Sequence, residues 1–403
     1  MNFIIYLLSE GLSKIIPFAT ILVVAKFIDI ESFGELSLYL IVYEMLVVVI
    51  SNNISATTRI DYYRLNFADY VNSKSIHLTV SFIIFSFVSI VSAFLSTIPY
   101  YFLIIIALSS FLRSVSLYIL ADLQCKESVK NYAISNIIYL ASMNGLFMLL
   151  IMLNKNIESW IYSILFGSFV QFLFSLYHVK KYKLLTFSLN YFLNKQSLYD
   201  EFKNGLIFIP QAIGFWIKLG IDRILLASYT SMLVVGYYMF AFQLLWLIII
   251  ISSAINLYAT PKINSMLKNN NFSSIKLLLN NFLIFLVLFA IILFIMSFFI
   301  INNFYYEKYS PSLEYLPYIS ISLVFQSVMM IYLNVFYYIE KKKFVSKFIF
   351  STSIIQAVCG LFSMEFIGIY GLLVFNIVFN FIVLMYILGK FHKELNAIKY
   401  ATP

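Results

Sequence analysis

Charge is scarce in this chain: Asp, Glu, Lys and Arg together make up 11% of 403 residues. A soluble domain of this size needs a charged surface, so a water-soluble globule is excluded. Cysteine and histidine are scarcer still. Cys125, Cys359, His77, His178 and His392 lie far apart in sequence, and no CxxC or HExxH spacing occurs. The sequence therefore offers no metal or redox motif, and no cofactor is expected. A P-loop is also missing, which excludes ATP hydrolysis on this chain. The amino terminus has no small-residue cleavage site, so no removed signal peptide is expected.

What is present is apolar. Hydrophobic residues reach 62% and mean hydropathy is +0.92. A spanning helix needs about 20 apolar residues, because each adds about 1.5 Å across about 30 Å of hydrocarbon. Charge-free runs of that length recur along the whole chain. Some hold two helices, with breaks expected near Pro99 and around Ser228 to Ser231. The runs are continuous and do not alternate apolar with polar, which selects helices over a barrel. The expected architecture is an all-α polytopic membrane protein of about twelve spans. They fall near 8–28, 35–53, 77–97, 100–121, 132–153, 159–178, 205–227, 234–257, 277–301, 315–338, 348–365 and 368–389.

The basic residues alternate by loop. Segments 53–76, 122–131, 179–204, 258–276, 339–347 and 390–403 hold 20 of the 27 Lys and Arg, while the opposite loops hold only Lys155 and Lys308. Positive residues stay inside, so both termini and the longer loops are expected to be cytoplasmic. An isoelectric point near 9.2 raises nucleic acid as a candidate partner. The basic residues sit between apolar spans instead of forming one patch, so nucleic acid is excluded as a partner.

The loop over 181–204 separates an N-terminal six-helix lobe (1–180) from a C-terminal one (205–403). Six is even, so a repeat relating the lobes is parallel. Gly11 with Pro17 matches Gly205 with Pro210. Phe33-Gly34-Glu35 matches Val235-Gly236-Tyr237, and the Lys126–Lys130 cluster matches Lys342–Lys347.

Five basic residues fall within the expected spans, Lys14, Lys26, Arg113, Lys218 and Arg223, against two mid-span acids, Glu44 and Asp222. A charge at mid-bilayer is costly unless it faces a wet cavity or a partner. The basic excess suits an anionic substrate. Arg113, near the middle of its helix, reads as a cavity residue able to grip two phosphate oxygens, with pairing to Glu44 as the alternative. Lys218 lies one turn before Asp222. It either attracts an anionic group or forms an internal pair with Asp222. Lys14 either faces a cavity or pairs with Glu10. Lys26 is placed to snorkel to headgroups. Arg223 reads as a structural pairing residue. Arg59 can meet incoming headgroups or anionic lipid in general. Glu44 reads as a counter-ion for Arg113, with proton coupling as its alternative.

These residues carry a family resemblance. Ala25-Lys26-Phe27-Ile28 through Glu31-Ser32-Phe33-Gly34-Glu35-Leu36 resembles a link between helices one and two. Asp222-Arg223-Ile224-Leu225-Leu226 through Val235-Gly236-Tyr237-Tyr238 resembles a helix-seven end and helix-eight entry, with Arg59 shortly after helix two. The family is that of Wzx-type lipid-linked oligosaccharide flippases, of the MOP superfamily that includes MATE exporters. The match is one of soft patterns over essentially the whole chain. It implies two MATE-like lobes rocking around a cationic cavity near the midplane. It also implies an undecaprenyl-pyrophosphate-linked oligosaccharide as substrate, the bilayer as environment, and other polysaccharide assembly proteins as possible contacts. Two rivals stand beside it. A MATE-type multidrug antiporter would call for an acidic cavity, and the basic excess argues against it. A membrane polysaccharide polymerase or ligase would call for a sizeable outer loop, and the outer loops here are short.

Overall fold

The computed structural model describes residues 2–94, 100–186, 194–268, 271–339 and 341–401. The break expected at Pro99 and part of the 181–204 loop lie outside them. Among the described residues the chain is helical throughout, with no strand. The helices are α1 (Asn2–Phe27), α2 (Ile30–Ser51), α3 (Ile54–Arg64), α4 (Phe67–Phe94), α5 (Tyr100–Cys125), α6 (Val129–Asn154), α7 (Glu158–Tyr182) and α8 (Lys195–Leu206). They continue as α9 (Ile209–Tyr229), α10 (Met232–Leu245), α11 (Leu247–Lys268), α12 (Phe272–Ile300), α13 (Leu316–Tyr338), α14 (Lys342–Ile367) and α15 (Ile369–Ala401).

Among the described residues, ten segments are long and apolar enough to cross a membrane, and eleven if α8 and α9, bent by 43° at their junction, count as one. The 26-residue α1 stands in addition where the first span was expected. Polar residues mark the boundaries between them. The Asn194 side chain caps α8 at Ser197 N (3.1 Å), and Asn271 caps α12 at Ser274 N (3.3 Å). Asn52 and Asn53 take left-handed φ of 45° and 54°, which separates α2 from α3; asparagine tolerates that region better than most residues.

The chain packs as two compact units. One comprises 1–28 and 38–216, the other 29–37 and 217–403. The boundaries differ from a simple cut in the 181–204 loop, since α9 and α2 each contribute to both units. In the first unit α5 packs on α4 and α7, and α6 on α1 and α7. Tyr118, Ile119 and Leu123 of α5 form a core with Tyr70 and Val71 of α4 and Tyr132 of α6. Gly167 sits so close to Met143 that a Cβ there would overlap it. Small residues of this kind let membrane helices approach.

In the second unit α13 is central, touching α10, α11, α12 and α15. The two glycines matched in the repeat meet here. A Cβ on Gly34 would strike the Met232 carbonyl, and one on Gly236 would strike the Ile30 carbonyl. That close crossing holds 29–37 against α10. Phe33 adds edge contacts to Phe240 and Tyr309. On α12, Leu288, Ile291, Ile292, Ile295, Met296 and Phe299 are all exposed. A helix with such an outward apolar face belongs in lipid.

Candidate functional site

Two polar sites lie inside the units, one in each. The first is a cavity of about 360 Å³ lined only by first-unit residues, among them Arg113, Arg59, Glu44, Tyr43, Tyr139, Asn136 and Trp160. Its size falls in the lower range of small-molecule pockets, about 300–1,000 Å³.

Arg113 enters from α5. One guanidinium nitrogen donates to Gln171 Oε1 on α7. Gln171 is itself fixed, because its Nε2 donates to the backbone and hydroxyl oxygens of Ser135, each at 3.2 Å. The guanidinium lies 4.0 Å from the centre of the Tyr139 ring. The Tyr139 and Tyr43 hydroxyls are 3.2 Å apart, and Tyr43 meets Trp160 edge-on at 6.1 Å. Arg113 is thus oriented by an amide and a ring face. No carboxylate lies within ion-pair distance of it among the described residues. The expected Arg113–Glu44 pair is not formed, although both residues line the cavity. A guanidinium has five N–H donors, so most of its hydrogen-bonding capacity is left for a ligand. Arg59 follows the same pattern, with Nε and a terminal nitrogen donating to Gln124 Oε1 at 3.1 and 2.8 Å.

The second site is a pocket of about 20 Å³ lined by Lys218 and Asp222 of α9, Tyr238 of α10, Ser322 and Gln326 of α13, Gln356 of α14, and Asn376 and Asn380 of α15. Tyr238 donates to Asp222 Oδ2 at 2.9 Å. Gln356 Nε2 donates to Asn376 Oδ1 at 3.1 Å, and Asn380 Nδ2 to Ser322 Oγ at 2.9 Å. Lys218 is 4% exposed, and its ammonium has no hydrogen-bond partner among the described residues. The direct Lys218–Asp222 pair, one of the two readings open from sequence, is therefore not formed. Asp222 is tied to Tyr238 instead. A space of this size admits about one water and no headgroup. Arg223 donates to the Leu219 carbonyl at 3.1 Å and stands 4.5 Å from the centre of the Phe242 ring.

The structure thus joins Arg113, Arg59 and Glu44 in one cavity and places Lys218 and Asp222 in another. Lys14 is half-buried on α1 and lines neither. The Glu10 side chain, its alternative partner, lies outside the described residues. Lys26 is exposed in the last turn of α1, as snorkelling requires.

The orienting residues Gln171, Gln124, Tyr139 and Tyr43 carry no sequence signal of their own. A polar network where α8 docks was equally silent. There Ser73 donates to Glu201 at 2.8 Å, and His77 Nδ1 stands 3.5 Å from the same carboxylate. Buried Lys74 pairs with Asp61 at 2.6 Å. Burial alone would raise the Glu201 carboxyl. His77, Ser73 and Lys74 outweigh burial and hold it below the ordinary carboxylate range, so it is ionised at neutral pH.

The model of a family described as polysaccharide biosynthesis protein matches residues 1–266. No curated protein matches the sequence significantly. Among solved structures, the chain is similar to an inward-facing multidrug resistance MATE family transporter of the MOP superfamily. The TM-score is 0.72 at 12% identity, covering 99% of this chain and 96% of that one. An outward-facing structure of such a transporter gives 0.61 at 13% identity, covering 97% and 94%. A MOP superfamily transporter from Pyrococcus furiosus, whose binding pocket is described as of reverse polarity, gives 0.61 at 12% identity, covering 99% and 96%. At these identities the likeness concerns the fold, which is that of a multi-pass MATE-like transporter.

Proposed function

The chain belongs to the polysaccharide biosynthesis protein family, and from that premise we propose that it is a flippase for a diphosphate-linked lipid oligosaccharide. It moves an undecaprenyl-pyrophosphate-linked repeat unit from the cytoplasmic to the outer leaflet of a bacterial inner membrane, for O-antigen or capsule synthesis. The observation that carries this reading is the Arg113 guanidinium. It is half-buried in a membrane protein, held by Gln171 and Tyr139, with no carboxylate at ion-pair distance among the described residues, in a cavity with room for a ligand. Such a group within a span needs a wet cavity or a partner, and this cavity holding an anionic ligand supplies both. A diphosphate matches its planar fork.

The tail stays in lipid while the head occupies the cavity, which opens alternately to each side. With both termini cytoplasmic, as the loop charges support, the head carries its negative charge outward. A membrane potential negative inside then assists by about 2.3 kcal/mol per charge per 100 mV. Arg59 places a second cation in the cavity beside Glu44, so base outnumbers acid there. That balance weighs against a MATE-type antiporter of cationic drugs.

The test is complementation of a strain lacking this chain. Arg113→Ala is expected to reach the membrane at normal levels, to abolish surface polysaccharide, and to leave single lipid-linked units on the inner leaflet. Arg113→Lys retains part of the activity, because a point charge replaces the fork. Normal polymer from Arg113→Ala would overturn the proposal.

A further inference from the structure

The short helix α8 has two faces that the transport cavity does not explain. Its composition is polar, yet its apolar residues share one stripe. Tyr199, Phe202 and Leu206, spaced three and four apart, are 59%, 36% and 38% exposed, and Ile207 extends the stripe at 65%. The neighbouring face is pinned to the first unit. Glu201 accepts from Ser73 and faces His77. Asn52 Nδ2 donates to the Phe202 carbonyl at 3.2 Å. Gly205 lies so tightly on Asn52 that a Cβ there would overlap its backbone carbonyl and side-chain amide. These contacts fix the roll of the helix, so the stripe cannot turn inward.

Charge and continuity identify what covers the stripe. Lys195 and Lys203 lie on α8 itself, and Lys180, Lys181 and Lys183 lie at the end of α7 in the same unit. The acid on α8 is Asp200 and Glu201, and Glu201 is turned into the protein. After a two-residue break α8 leads directly into α9, a helix of spanning length. A polar helix with one apolar stripe, flanking lysines and a membrane span at its end has the features of an interfacial helix.

We infer that α8 is a lipid-binding element: its Tyr199–Phe202–Leu206 face lies in the headgroup layer, and Lys195 and Lys203 hold phosphates of anionic lipids. This stands apart from what the first-unit cavity carries. It gives the chain a second phosphate-directed surface, one that reads the membrane instead of the cargo.

The test uses the full chain with Cys125→Ser and Cys359→Ser, carrying one nitroxide at a time at Tyr199→Cys, Phe202→Cys, Leu206→Cys, Asp200→Cys or Asn204→Cys. Each is reconstituted in vesicles of phosphatidylcholine, alone or with an equal part of phosphatidylglycerol. Oxygen collisions are expected to exceed those of a water-soluble nickel chelate severalfold at 199, 202 and 206, and to fall below them at 200 and 204. Phosphatidylglycerol shifts the three stripe positions deeper, and Lys195→Gln with Lys203→Gln removes that shift. Chelate-dominated collisions at all five positions would overturn the inference, as would be the case if another protein covered the stripe. A depth indifferent to phosphatidylglycerol and to both lysines would overturn the anionic-lipid assignment. Normal surface polysaccharide from the cysteine-free parent and from each single-cysteine variant shows that the labelled chains are folded.

Discussion

Each unit of this protein places a basic residue within a spanning helix, Arg113 half-buried and Lys218 buried, and the two solve the resulting problem in opposite ways. Arg113 has room, about 360 Å³, with amide and aromatic neighbours that orient its charge without cancelling it. Lys218 has almost no room, about 20 Å³, and shares it with Asp222 and a shell of Asn, Gln and Ser. A charge in a membrane needs either a cavity or compensation. The first unit supplies the cavity, and the second encloses its cation among polar side chains with a carboxylate nearby but not bonded to it. A basic residue within a span is therefore not by itself a substrate site, and the space in front of it decides which it is.

The largest effect comes from unbalancing the compact site. Asp222→Leu leaves Lys218 and Arg223 buried on one helix without the nearby carboxylate and strips the Tyr238 hydroxyl of its acceptor. Breaking a buried charge set in this way costs about 3–5 kcal/mol. Thermal unfolding of the purified protein in detergent is expected to show that loss. Asp222→Leu combined with Lys218→Leu recovers much of it, because replacing both charges of a buried set with apolar groups is often close to neutral. The double variant keeps surface polysaccharide. If the two changes add, or if the double variant folds but fails to transport, the second unit is not a purely structural site and the comparison breaks.

A smaller effect follows from giving the first unit what the second already has. Gln171→Glu puts a carboxylate against Arg113 and turns an open guanidinium into an ion pair. A ligand then competes with a permanent partner. The loss is about 1.5–3 kcal/mol, the usual scale for hydrogen bonds to charged groups, or roughly one to two orders of magnitude in affinity. Gln171→Leu removes the orienting bond without adding charge and costs about 0.5–1.5 kcal/mol. Direct binding of lipid-linked diphosphate to purified protein ranks the two. An equal loss from both variants would mean that orientation, not charge, sets affinity.

Much of this was legible in the sequence. Continuous apolar runs fixed the spans, because burial in lipid leaves a helix no other composition. Subtracting the loop lysines and arginines isolated Arg113 and Lys218 along with Lys14, Lys26 and Arg223, while Arg59 was picked out separately as a loop residue shortly after helix two. The paired glycines 34 and 236 stood out as a repeat before they proved to touch. The separation of Lys218 from Arg113 was not legible, since one sequence does not tell which face of α5 or α9 borders open space. Gln171 was hidden for a related reason: a glutamine gains its role from Ser135 and Arg113, which lie 36 and 58 positions away. The helices α3 and α8 fell in stretches read as loops. Short helices at a membrane surface have the average polarity of loops, and only their stripe betrays them.

The mildest prediction separates the two arginines of the open cavity. Arg59 makes the same type of bond as Arg113, to a glutamine oxygen, but it is exposed at its site. Water and salt weaken an exposed charge. Its pairs are worth about 0.2–1 kcal/mol, and they fade once separations exceed a screening length of about 10 Å at 0.1 M salt. Arg59→Gln is therefore expected to weaken lipid-diphosphate binding only a fewfold at low salt and hardly at all at high salt. Arg113→Gln keeps more of its deficit as salt rises, because Arg113 is half-buried and held by Gln171 and Tyr139. Binding curves for both variants across a salt series decide the matter. Parallel deficits at all ionic strengths would place Arg59 as deep in the recognition step as Arg113, and the cavity would then hold its ligand between two equivalent cations.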